Sequence, residues 1–117
     1  RRQGQQFENY LTLEAGPGER YDLQNGESGY FHYHFTYTAS VNGTTDVTLP
    51  DTTLSSSKDI QFRFTTDGTL NASKLVRIRP SGSQTIDGGG EALLSEPYDG
   101  VTAQNINGEW IVIQAKA

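Results

Sequence analysis

His32 and His34 are the only imidazoles in the chain, two residues apart in the run Tyr30-Phe-His-Tyr-His-Phe-Thr-Tyr-Thr38. Side chains of a strand alternate between faces, so both rings leave the same side, as a shared metal would require. One chain then offers two ligands where a structural zinc site takes four. Three copies around an axis would supply the rest. A single copy puts both histidines on a solvated or groove-lining face, and that is the expectation, with no metal or cofactor assigned. The carboxylates Asp46, Asp51, Asp59, Asp67, Glu91, Glu96 and Asp99 are numerous enough for a glycosidase pair. Nearly all fall at expected turns, where Asp serves the backbone.

Nucleophiles have less to build with. Cysteine is absent, Ser55-Ser56-Ser57 reads as loop, and no Gly-x-Ser-x-Gly elbow occurs. Gly88-Gly89-Gly90 lacks the Gly-Lys-Ser/Thr ending of a phosphate loop. No catalytic residue is assigned, and the chain is expected not to be an enzyme.

Arginines offer a different chemistry. Arg77 and Arg79 share a face, and Arg63 lies opposite Phe62 and Phe64. If the two strands pair through Asp67-Gly68, the three form a basic strip suited to phosphate or carboxylate groups. The alternative is a solvated face with cross-strand charge pairs. The alternating Phe31, Tyr33, Phe35 and Tyr37 read as core, which leaves Tyr21, Tyr30 and Tyr98 as exposed rings for a sugar to stack on. Asn42-Gly-Thr44 and Asn71-Ala-Ser73 match the N-glycosylation acceptor pattern.

The elements that must position these residues are strands. In 117 residues there is room for one core. Turn pairs Asn25-Gly26, Asn42-Gly43, Asp67-Gly68, Asp87-Gly88, Asp99-Gly100 and Asn107-Gly108 punctuate segments rich in β-branched and aromatic residues. No window carries a 3.6-residue apolar stripe. Strands are expected at 10–14, 20–23, 30–38, 44–49, 60–65, 73–79, 98–104 and 109–115. The expected fold is all-β: an antiparallel β-sandwich, jelly-roll-like, of about eight short strands. Residues 1–6 read as a polar lead-in or linker, 7–117 as the single domain, and 50–58 as a loop crossing between sheets, with no internal repeat. The last strand is apolar on both faces, Trp110 and Val112 against Ile111 and Ile113, so it is covered on both, by its own loops or by a neighbouring subunit.

A net charge of -5 disfavours a general nucleic-acid binder. No apolar run approaches the ~18 residues of a membrane-spanning helix.

Residues 75–113 resemble a C-terminal β-module of bacteriophage tail-fibre, head-fibre and spike virion proteins. The resemblance lies in Leu75-Val-Arg-Ile-Arg-Pro80, Thr85-Ile-Asp-Gly88, Pro97-Tyr-Asp-Gly-Val-Thr102 and Gly108-Glu-Trp-Ile-Val-Ile113. It implies a β-sandwich on the virion surface, commonly trimeric, joined to other virion proteins through its N-terminal side and able to contact host surface glycans. His-x-His rings occur at the tips of such spikes. The pattern carries no catalytic residues. Two further readings fit an all-β composition: a carbohydrate-binding module of a secreted bacterial protein, and a small cupin-type barrel, which lacks a third histidine.

Overall fold

The computed structural model describes residues 10–23, 30–53 and 58–115. Nine strands are present among them: β1 (Leu11–Ala15), β2 (Arg20–Asp22), β3 (His32–Tyr37), β4 (Gly43–Thr48), β5 (Gln61–Thr66), β6 (Lys74–Arg79), β7 (Ala92–Leu94), β8 (Gly100–Ile106) and β9 (Glu109–Ala115). They form two mixed sheets, a five-stranded sheet A in the order β1-β3-β5-β8-β9 and a four-stranded sheet B in the order β2-β4-β6-β7. Residues 54–57, within the expected 50–58 crossing, lie outside the described residues, as do the lead-in 1–6 and the Asn25-Gly26 turn.

The expected all-β fold is present, and the expected antiparallel pairing is only partly so. β5–β8, β8–β9 and β6–β7 are antiparallel. The pairs β1–β3, β3–β5, β2–β4 and β4–β6 are parallel. A jelly roll pairs its strands antiparallel, so the path differs from the one expected. Each of the first six strands lies in the sheet opposite its predecessor, and the chain winds as a coil, laying β3 beside β1 and β4 beside β2. A parallel neighbour needs a long crossover; here the crossover is a strand of the opposite sheet. The physical reason for the miss lies in the turns. Asn42-Gly43 and Asp67-Gly68 read locally as hairpin turns, yet they carry the chain across to the other sheet. Asn107-Gly108, with φ of 57° and 84°, does close a hairpin between β8 and β9.

Side-chain bonds stitch the coils together. Buried Thr45 accepts the Gly16 N–H at 2.8 Å and donates to the Gly16 carbonyl at 3.0 Å. Gly43 packs so close to Pro17 that an added Cβ would stand 2.5 Å from the proline Cβ. The coils are unequal in length, since Leu11 pairs with Tyr33 but Tyr33 with Phe64. A repeat of structure without a repeat of sequence is the result.

Between the sheets lies one core. Tyr33, Phe35, Tyr37, Phe62, Phe64 and Trp110 face in from sheet A, and Val47, Val76, Ile78 and Leu94 from sheet B. The rings stack along sheet A, Tyr33 on Phe64 at 5.9 Å and Phe62 against Trp110 at 5.8 Å between centroids. Burying each such side chain contributes about 1.5–3 kcal/mol. The Trp110 indole N–H donates to the Pro50 carbonyl at 3.3 Å, which satisfies its one polar atom inside the core.

β9 is the edge of sheet A, not a central strand. Of its outward residues Ile111 is half-buried and Ile113 is 46 % exposed, beside Ile106 at 41 %. Its free edge is closed by the 85–89 turn. Trp110 N–H donates to Thr85 O at 3.2 Å, Asp87 N–H to Trp110 O at 2.8 Å, and Val112 N–H to Asp87 Oδ1 at 2.8 Å. Covering an edge in this way blocks pairing with further strands.

Candidate functional site

Two surfaces gather polar side chains, one on the outer face of each sheet. On sheet A, alternation sends His32, His34 and Thr36 outward from β3, and Arg63 and Thr65 from β5. The parallel register sets His32 beside Arg63 and His34 beside Thr65. One hydroxyl holds both rings: His32 Nε2 and His34 Nδ1 each lie 2.8 Å from Thr65 Oγ1. Tyr10, 57 % exposed, covers them, its ring 5.5 Å from that of His32 and 6.2 Å from that of His34. At the end of the face, Asp67 accepts the Thr69 N–H at 3.0 Å. Burial pushes the Asp67 carboxyl up. The hydrogen bonds of Thr69 and Thr36, with the His34 ring nearby, outweigh it and hold the group below its ordinary value.

On sheet B the outward rows run Arg20–Asp46–Arg77 and Asp22–Thr48–Arg79. Arg77 Nε donates to Asp46 Oδ1 at 2.7 Å, and Arg77 also reaches Glu91 at 3.8 Å. That hydrogen bond, with the charges of Arg77, Arg79 and Arg20, outweighs burial and lowers the Asp46 carboxyl. The same bond raises Arg77. Beside these rows a groove of about 570 Å³ is lined by Arg20, Asp22, Asp46, Thr48, Arg79 and Gln84. Gln84 is fixed at both ends, donating to Asp51 at 2.8 Å and accepting the Thr52 N–H at 3.1 Å. Asp51, bonded to Thr53 first and to Gln84 as well, is lowered too.

No protein-family model matches the chain, and no curated protein sequence is significantly similar to it.

The basic strip does not form. β5 belongs to sheet A and β6 to sheet B, so Arg63 lies on the opposite face from Arg77 and Arg79. The alternative reading, cross-strand charge pairs, is what Arg77 and Asp46 make. The histidines do share a face, as expected. Among the described residues no three His, Asp or Glu side chains stand together as a metal site would need. The acids are dispersed: Asp51 and Asp67 bond their own turns, Asp99 accepts the Ser95 N–H, and Asp59 sits at a turn with φ of 60°.

Two of the three expected sugar-stacking tyrosines are not exposed. Tyr21 packs on Phe35 and donates to the Glu14 carbonyl at 2.8 Å. Tyr30 is half-buried, its carbonyl accepting the Tyr33 hydroxyl. Tyr98, at 60 %, is exposed as expected and lies over Gly68. The ring that sequence reading missed is Tyr10. Its signal was present in the phase of Tyr10, Thr12 and Glu14, which share the face opposite Leu11 and Leu13.

Proposed function

We propose that this chain is a non-catalytic attachment and assembly module, of the kind that ends a virion fibre or spike. One observation carries the reading: the two ends of the coil differ. At the C-terminal end the β8–β9 hairpin and the 85–89 turn close sheet A, and sheet B ends in the three-residue β7. At the other end β1 and β2, the first strands of the two sheets, are edges with no further strand paired to them among the described residues. A closed end and an open end suit a module that docks by its N-terminal side and turns its capped end outward. The likeness of residues 75–113 to fibre and spike modules agrees, since those residues build the closed end. In this reading the assembly is a homotrimer on the virion surface. The solution mass of the purified chain by light scattering tests it. Three chains per particle is the expected result, and a monomer at every concentration refutes it.

The carbohydrate-binding module is the second reading, favoured by Tyr10. An exposed aromatic ring flanked by His32, His34 and Thr65 presents a flat face with hydrogen-bonding partners at its rim, as sugar platforms do. Titration with neutral oligosaccharides, read by quenching of tyrosine fluorescence in the wild type and in Tyr10→Ala, separates it from the first.

A further inference from the structure

The geometry points to the groove on sheet B as a binding site for a sugar bearing a single carboxylate. Its volume, about 570 Å³, falls within the range of small-molecule sites. Its charge is the first argument. Asp46 is neutralised by Arg77 at 2.7 Å. Arg79, half exposed, reaches the same carboxylate only at 4.0 Å, and Arg20 makes no ion pair among the described residues. Arg20, Arg77 and Arg79 thus share this face with Asp22, Asp46 and Glu91, an even balance in which only Arg20 and Arg79 line the groove with no ion pair shorter than 4.0 Å among the described residues. Two such guanidiniums offer a fork for one carboxylate, and the even balance opposes a dianion or polyanion, as does the net charge of -5.

Shape is the second argument. Gly82 and Gly90 leave open space where a Cβ would stand, so part of the wall is bare backbone. Bare backbone and the Thr48 hydroxyl suit ring hydroxyls. Gln84 is pinned by Asp51 and Thr52, so that wall is set before a ligand arrives. A guanidinium fork then fixes the carboxylate in two parallel bonds, which the ester of the same sugar cannot accept.

This deepens the attachment reading by naming the surface group recognised. The full chain, labelled with 15N, is titrated with glucuronate, its methyl ester and inorganic phosphate, up to about 10 mM each. Glucuronate is expected to shift the amides of Thr48, Gly82 and Gly90, and to bind at least about tenfold tighter than the ester. Arg79→Gln should lose that preference while its other amide shifts stay in place. Equal binding of acid and ester overturns the proposal. So does phosphate binding as tight as glucuronate, and so do shifts confined to Tyr10 and His34 or absent altogether. The ester comparison on the wild type decides even if Arg79→Gln fails to fold. Loss of glucuronate binding leaves the assembly reading intact, and a monomer by light scattering leaves the groove intact.

Discussion

The Asp87 carboxylate takes the Val112 N–H at 2.8 Å, standing where the next strand of sheet A would otherwise pair. Asp87 also adopts φ of 53°, which starts the turn that brings it there. Backbone and side chain of one residue therefore both serve to end the sheet. Asn tolerates that backbone and keeps an acceptor; Ala does neither. Asp87→Ala is expected to lower stability by about 1–2 kcal/mol in urea unfolding and to promote concentration-dependent association. Asp87→Asn should stay close to wild type in both measurements. Equal behaviour of the two variants would remove the edge-closing role.

Stacking of the coils rests on Thr45 and Gly43. Thr45→Val keeps the shape and removes both bonds to Gly16, with an expected loss of about 2 kcal/mol. Gly43→Ala drives a methyl into Pro17, with an expected loss of about 1–3 kcal/mol. Chemical denaturation checks both. Wild-type midpoints would show that the coils do not touch as described.

The strand positions were legible in the sequence because alternation is local. Every expected strand is present within two residues at each end, and Tyr33, Phe35 and Tyr37 face the core as their spacing says. Only the short β7 went unseen, since Ala92-Leu93-Leu94 is too brief to show a period. Pairing was not legible. Whether Asp67-Gly68 folds β6 back beside β5 or passes it to the other sheet depends on which face of Phe62 and Phe64 is buried against what, and no window of sequence holds that. The arginine strip failed for this reason. The shared face of His32 and His34 survived because it needs only one strand.

Acid should destabilise the fold through three carboxylates. Asp46, Asp51 and Asp67 all have folded-state pKa values below their ordinary ones. A depressed carboxyl contributes stability above its unfolded pKa, and that stability is lost as pH falls through the folded value. The melting temperature should therefore hold steady at neutral pH and decline from about pH 4 downward. In Asp46→Asn the decline should be shallower, and its neutral-pH stability lower. A parallel decline in wild type and variant would show that the Arg77 pair contributes nothing.

Thr65 couples the tautomers of the two histidines. Its hydroxyl is expected to give its proton to one ring and accept from the other. The contacting atoms are Nε2 of His32 and Nδ1 of His34, so a donor–acceptor arrangement requires both neutral rings to carry the same tautomer. 15N spectra of the side chains should show that match in the wild type and lose it in Thr65→Val. Opposite tautomers in the wild type would contradict the donor–acceptor arrangement at Thr65.

The central claim is that the module assembles through the open end of its coil, and amide hydrogen exchange with concentration tests it most directly. Outward-pointing amides of Leu11–Ala15 and Arg20–Asp22 should gain protection as the oligomer forms, while Glu109–Ile113 stays unchanged because the 85–89 turn already covers it. Protection gained at β9 with β1 and β2 unchanged, or no gain anywhere, would contradict the account.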